Sequence, residues 1–223
     1  QIKGEGSNLV LIHGFCEDSF IWDDFIDPLS AQFRVITIDL PGFGKSTMPF
    51  ENPSLSDFAQ SVEETLKEIG VRKCVLIGHS LGGYVGMSFA KQFPQMLAGL
   101  GLFHSSVFAD SPEKRETRTK SVAFIQEHGT EVFARNMFGN LFSAVNRPKM
   151  GGFMAKMVEK LRTVAPESVI KTQIAMRERE DTTDVLARLD IPVLLIAGKE
   201  DQSTVFEKSV EQVQIPKNAI CYF

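Results

Sequence analysis

Short apolar runs alternate with longer stretches of helical periodicity through the first hundred residues. The runs that predict buried strands are NLVLI (8–12), FRVITI (33–38), KCVLIG (73–78) and LAGLGLF (97–103). Between them, residues 19–32, 54–70 and 81–93 carry apolar residues at helical spacing. The first of these helices is expected to turn Ile21, Phe25, Ile26 and Leu29 to one face. Continuous apolar strands separated by helices are typical of a parallel sheet covered on both faces, so we expect an α/β fold.

The alternation stops after residue 104 and resumes near residue 183. Residues 105–182 contain amphipathic helical stretches such as TEVFARNMF and GFMAKMVEKLRTVA and no convincing strand pattern. Helix and strand patterns then return in the order DVLARLD, IPVLLIAG (191–198), VFEKSVEQV and AICYF. We therefore predict a core of residues 1–104 and 183–223 with a helical insertion at 105–182.

Composition narrows the class of protein. The 223 residues are 43% hydrophobic and 23% charged, which fits one large globular domain. A net charge of −4 gives no basic surface for nucleic acid. Apolar runs are too short to cross a membrane, and the N-terminus lacks the pattern of a signal peptide. Three scattered cysteines suit a reducing compartment, so we expect a cytoplasmic protein with no zinc site. The oligomeric state stays open.

One serine stands between two glycines in the segment GHSLGG. Gly78, Ser80 and Gly82 satisfy the pattern G-x-S-x-G, and they lie between a predicted strand and a predicted helix. That context is what a nucleophile elbow requires, because the turn is too sharp for side chains at the flanking positions. The N-terminus of the following helix favours negative charge at the serine. Ser80 is the candidate nucleophile.

Two backbone N–H groups are candidates for an oxyanion hole. One is that of Leu81, the residue after the nucleophile, and the other is that of Phe15 in the turn after the first strand. His13, in the same turn, is expected to stabilise the turn. The segment GFGKS (42–46) is expected to be a structural turn, because a phosphate-binding loop needs glycine where Asp39 stands.

The chain resembles members of the α/β-hydrolase fold superfamily, in the lid-bearing branch of esterases and related hydrolases. The segments that carry the resemblance are LVLIHGF, VITIDLPGFGKS, VLIGHSLGG and PVLLIAGKED, in the family's order. The resemblance implies a helical lid at 105–182 and a catalytic acid after the strand at 191–198. By the family's spacing from Gly198, Asp201 is preferred as that acid over Glu200. Asp110, near the end of the preceding strand, is a distant competitor.

The catalytic histidine is harder to assign. The family's chain order of serine, acid and histidine implies a histidine after Asp201, yet none follows His128. His79 adjoins Ser80 in a turn where neighbouring side chains diverge, and His128 lies in the expected lid. His104 ends a central strand and could line the pocket or substitute as base. We expect that both ends of the sequence are truncated and that the base lies just beyond Phe223.

These residues together predict a serine hydrolase acting on a small carboxylic ester, without a metal or organic cofactor. Serine at the nucleophile position argues against haloalkane dehalogenases and epoxide hydrolases, which carry aspartate there. Hydrolysis of a C–C bond, lactonase activity and cofactor-free perhydrolase activity remain alternatives on the same triad. A non-catalytic ligand-binding protein on a hydrolase scaffold is the alternative from another class. The expected partner is a small ester-like molecule, with no nucleic acid or membrane.

Overall fold

The predicted apolar runs pair side by side in one sheet. The computed structural model describes residues 1–201 and 203–223, and in these residues the sheet has seven strands. They are β1 (Ile2–Lys3), β2 (Ser7–Ile12), β3 (Phe33–Ile38), β4 (Cys74–His79), β5 (Leu97–Phe103), β6 (Val193–Ile196) and β7 (Ala219–Tyr222). Their spatial order is β1-β3-β2-β4-β5-β6-β7, and all neighbours are parallel except the antiparallel pair β1 and β3. The predicted parallel sheet is confirmed.

Alternate residues of the central strands face opposite sides of the sheet, as the period of two requires. In β2, Val10 and Ile12 join the larger apolar core, while Leu9 and Leu11 join a smaller cluster on the other face. Both faces of the strand are buried. This double burial explains why β2 is a continuous apolar run, without the alternation of a half-exposed strand.

Eight helices cover the sheet and build the insertion in the described part of the chain. They are α1 (Asp23–Ser30), α2 (Leu55–Glu68), α3 (Leu81–Gln92), α4 (Pro112–Gly139), α5 (Gly151–Leu161), α6 (Pro166–Arg177), α7 (Thr183–Arg188) and α8 (Phe206–Val213). The predicted cap of α2 forms: the Ser54 side chain accepts the N–H of Asp57, and the Asp57 carboxylate accepts the N–H of Ser54. None of the described helices combines the length and apolar character that a membrane crossing needs.

The helix predicted over residues 19–32 is wrong in its first part. Ser19–Trp22 form a 3-10 turn whose N-terminus is capped by the Asp18 carboxylate, and α1 begins only at Asp23. A 3-10 turn has three residues per turn, so the apolar face differs from that of a continuous α-helix. Trp22 and Ile26 are buried as a result, while Phe25 is exposed.

The elements between β5 and β6 are helices. The segment contains α4, which is interrupted at Gly129 (φ 81°, ψ 166°), followed by α5 and α6. Its two ends meet, because the N–H and the hydroxyl of Thr182 both donate to the carbonyl of Val107. Phe133 and Phe138 of α4 belong to the same apolar cluster as the central strands. The insertion therefore shares a core with the sheet.

Candidate active site

Ser80 occupies a strained turn between β4 and α3. Its φ of 49° and ψ of −110° lie outside the regions that most L-residues adopt. The Ser80 N–H donates to the Phe103 carbonyl at 2.9 Å, and the Ser80 carbonyl accepts the Ser105 hydroxyl at 2.8 Å. These bonds tie the turn to the end of β5. Strain of this kind persists only where the surrounding structure over-determines it, and it clusters at functional sites.

The glycines of the predicted elbow are required by close backbone approach. A Cβ at Gly78 would lie 2.1 Å from the Gly82 carbonyl oxygen, and one at Gly82 would lie 2.4 Å from the Ile12 carbonyl oxygen. A third position, Gly83, was not predicted from the sequence. A Cβ at Gly83 would lie 2.2 Å from Ser105 Oγ, the group that holds the Ser80 carbonyl. The second glycine in LGG was the available signal for this contact.

The two backbone N–H groups proposed for the oxyanion hole are free. Leu81 is the first residue of α3, where an N–H has no partner inside the helix. Within residues 1–201 and 203–223, neither the Leu81 N–H nor the Phe15 N–H donates a hydrogen bond. The Phe15 ring packs edge-on against Phe43 and Phe133, with centroids 6.2 Å apart in both cases. Both groups are therefore unused hydrogen-bond donors in the described residues.

His13 stabilises its turn, as predicted. Its Nε2 accepts the Leu40 N–H at 2.9 Å, so its Nδ1 carries the proton that the Gly14 carbonyl accepts at 2.8 Å. Burial lowers the pKa of His13, which is fully enclosed. The neighbouring GFGKS segment is likewise a structural turn, because the Asp39 carboxylate accepts the N–H groups of Ser19 and Lys45.

Asp201 and His104 form a carboxylate–imidazole pair at the carboxyl edge of the sheet. Asp201 Oδ2 lies 2.8 Å from His104 Nδ1, while Oδ1 accepts the N–H groups of Ser203 and Thr204 at 2.7 and 3.0 Å. Burial by itself raises the pKa of Asp201, but these hydrogen bonds outweigh it and lower the pKa below its ordinary value. Because an ionised carboxylate only accepts, the His104 Nδ1 donates. Glu200 is exposed and takes no part.

The four histidines differ in their partners. Among the described residues, no histidine forms a hydrogen bond with Ser80 Oγ. His104 is the histidine that contacts Asp201, and its side chain is 33% exposed. It also has a positive φ of 48°. His128 is exposed on α4, with its ring against Phe124.

A second carboxylate–imidazole pair, which was not predicted from the sequence, includes His79, the neighbour of Ser80. Glu17 Oε2 lies 2.8 Å from His79 Nδ1 and accepts the Gly14 N–H at 2.6 Å. The Glu17 side chain is only 5% exposed. No periodicity applies in the turn that contains Glu17, so only the fold could reveal its burial.

Asp110, the competitor for the acid, is committed elsewhere. Its side chain is fully buried and accepts hydrogen bonds from Arg118 Nε and Arg179 Nη1. Arg179 also lies over the Tyr84 ring, 4.2 Å from its centroid. These contacts join α4 and the end of α6 to α3, which is a structural role. No group of three metal-ligating side chains occurs in residues 1–201 and 203–223.

A strained serine elbow at the carboxyl edge of a mostly parallel sheet can be compared with known families. The sequence profile of the alpha/beta hydrolase fold family matches residues 8–218. The chain belongs to this family. The match spans all strands from β3 to β6 and both segments that carry the free N–H groups.

Individual relatives and structures agree with that assignment. A pimeloyl-[acyl-carrier protein] methyl ester esterase of Aliivibrio salmonicida is 29% identical over 206 residues, which is 90% of this chain and 77% of the relative. An uncharacterized protein of Mycobacterium tuberculosis is 37% identical over 97 residues, which is 44% of this chain and only 28% of that relative. The structure of a thermophilic esterase from Thermogutta terrifontis, with malate bound, is 29% identical with a TM-score of 0.93. The aligned region covers 99% of this chain and 82% of the esterase chain.

Proposed function

We propose that the protein is a serine hydrolase that cleaves small carboxylic esters with Ser80 as nucleophile. The observation that carries the proposal is the strained backbone of Ser80 at the N-terminus of α3, beside two free N–H groups. A turn of this kind raises a serine hydroxyl above the sheet edge, where a substrate carbonyl can reach it. The esterase names of two relatives favour an ester as the substrate class.

The proposed reaction follows the acyl-enzyme route. Ser80 Oγ attacks the carbonyl carbon while a histidine takes the hydroxyl proton. The N–H groups of Phe15 and Leu81 stabilise the oxyanion. The C–O bond to the alcohol then breaks, and the histidine gives its proton to the departing alcohol. Water attacks the acyl-enzyme by the same steps and releases the acid and free Ser80. The scheme needs no metal or organic cofactor.

The base in this scheme is a histidine whose Nδ1–H donates to Asp201, which fixes its tautomer. That histidine is expected beyond Phe223, whereas among the described residues His104 makes this contact. The variant His104→Gln separates the two sources in the full-length protein. If the base lies beyond Phe223, the variant should hydrolyse an ester at a rate within about threefold of the wild-type rate. With His104 as base, the rate falls by roughly 10⁴-fold or more, as for loss of a triad member.

Residues 105–182 are proposed as a lid over this site. The support is contact between the insertion and the turn that carries the Phe15 N–H: Phe133 of α4 packs on the Phe15 ring, and Lys160 of α5 pairs with Asp18 at 2.9 Å. Phe15 and Phe133 would then present an apolar wall to the acyl group. Such a wall favours an uncharged acyl chain over a charged one.

The test is reaction with a fluorophosphonate, which phosphonylates activated serines. We expect one adduct by intact mass, mapping to Ser80, and no adduct in Ser80→Ala. Serine residues outside the elbow, such as the exposed Ser203, provide the internal control. No adduct on the full-length wild-type protein would refute the proposal and favour the non-catalytic binding protein. Rates on p-nitrophenyl acetate, a lactone and a C–C hydrolase substrate then separate the remaining chemistries.

A further inference from the structure

Glu17 is a buried carboxylate that the proposed mechanism does not use. A buried charge is costly unless it is paired and hydrogen-bonded. Glu17 meets this requirement with a single oxygen, Oε2, which lies 2.6 Å from the Gly14 nitrogen and 2.8 Å from His79 Nδ1. Its two partners, Gly14 and His79, are 65 residues apart in the sequence, and they come together because β2 and β4 are neighbours in the sheet. Glu17 therefore links two loops.

These two loops carry the two N–H groups proposed for the oxyanion hole. Gly14 directly precedes Phe15, and His79 precedes Ser80 and Leu81. A Cβ at Gly14 would lie 2.6 Å from Glu17 Oε2 and 2.7 Å from His79 Nδ1, so a side chain at this position would have to displace the bridging groups. The bridge is therefore closely packed against the backbone of the residue that precedes Phe15.

We propose that Glu17 is a positioning residue, which fixes the Phe15 and Leu81 N–H groups relative to one another through its bonds to Gly14 and His79. This inference rests on the proposed function of the site. An oxyanion hole acts through preorganised donors, and loss of one donor costs about 10²–10³-fold in kcat. Loss of the bridge is expected to act through the same transition-state interaction.

The charges around the bridge support an ionised pair. Burial alone raises the pKa of Glu17, but the charge and hydrogen bond of His79, together with the hydrogen bond from the Gly14 N–H, lower it. Burial alone lowers the pKa of His79, but Glu17 and the charge of Asp201 raise it. His104 also faces His79, with ring centroids 6.3 Å apart. The ionic pairing therefore exists between the lowered pKa of Glu17 and the raised pKa of His79: it is lost when Glu17 is protonated in acid and when His79 loses its proton as pH rises through the raised value.

The test compares Glu17→Ala, which removes the acceptor, with Glu17→Gln, which keeps an acceptor oxygen without the charge. The control is Glu180→Ala, which breaks an exposed ion pair with Lys91. We expect Glu17→Ala to lower kcat on p-nitrophenyl acetate by about 100-fold with KM within about threefold, because the lost interaction is made in the transition state. Glu17→Gln is expected to recover activity to within about tenfold of wild type.

Two results would overturn the inference. One is a kcat for folded Glu17→Ala equal to that of Glu180→Ala, and the other is a raised KM with unchanged kcat. If Glu17→Ala does not fold, His79→Ala decides, since it frees one end of the bridge from a partly exposed position. It should lower kcat about tenfold with KM unchanged, and a wild-type kcat would overturn the inference. If the wild-type protein forms no adduct at Ser80, the proposed function and this inference both fail. If the adduct forms but Glu17→Ala has the same kinetics as the wild type, this inference alone fails.

Discussion

Replacement of Asp110 by asparagine should distinguish this structural acid from Asp201, the proposed catalytic acid. The Asp110 side chain is fully buried, with Oδ1 2.5 Å from Arg179 Nη1 and Oδ2 bonded to Arg118 Nε. Arg179 is itself 5% exposed. The substitution leaves buried guanidinium groups without a counter-charge, and breaking a buried pair in this way costs about 3–5 kcal/mol. We expect the free energy of unfolding to fall by that amount.

Thermal unfolding, monitored by circular dichroism, measures this loss of stability. For a chain of this size, 1 kcal/mol corresponds to about 2–4 °C, so a decrease in Tm of roughly 10 °C is expected. The matched control is Asp184→Asn, which breaks an exposed pair with Arg188 whose side chains are 66% and 73% exposed. Exposed pairs contribute about 0–1 kcal/mol. Equal Tm values for the two variants would refute the reasoning.

The stability lost in Asp110→Asn should also depend on pH. Burial alone raises the pKa of Asp110, but the hydrogen bonds and charges of Arg118 and Arg179 outweigh burial and lower it. A lowered pKa adds stability that is complete above the unfolded-state value, about 3.9, and is lost as pH falls through the folded-state value. The difference in stability between wild type and Asp110→Asn should therefore shrink below about pH 4. Folded Asp110→Asn should still react with fluorophosphonate at Ser80 at the wild-type rate.

Two further predictions concern the elbow and the thiols. Gly82→Ala should lower the free energy of unfolding by about 1–3 kcal/mol, because the new Cβ would meet a β2 carbonyl. In the control Gly139→Ala the new Cβ meets nothing within 4 Å, so the free energy of unfolding should change by less than about 1 kcal/mol. Equal free energies for the two variants in a denaturant titration would contradict this prediction. Cys221 is exposed and should react with a disulfide reagent in the native protein, while Cys16 and Cys74 should react only in denaturant. Burial raises the pKa of the Cys74 thiol to about 11, and more than one rapidly reacting thiol in the native state would contradict the prediction.

The sequence by itself determined the order of strands and helices and the position of the elbow. These features are local, because a buried strand, a helix cap and a sharp glycine turn each leave a pattern within about twenty residues. Ser54 and Asp57 illustrate this, since the predicted cap forms as written in the sequence. The helix predicted over residues 19–32 failed at its first turn, where periodicity does not distinguish a 3-10 turn from an α-helix.

Only the tertiary structure decided which side chains pair. His104 and Asp201 are 97 residues apart, Glu17 and His79 are 62 apart, and Asp110 and Arg179 are 69 apart. Parallel strands bring their carboxyl ends to one edge, so a sequence can indicate which residues gather there. Burial and hydrogen-bond geometry then select the partners, and both depend on packing between segments that are distant in the chain. For that reason Asp110 proved to hold a structural ion pair, and Glu17, which no pattern indicated, binds His79 next to Ser80.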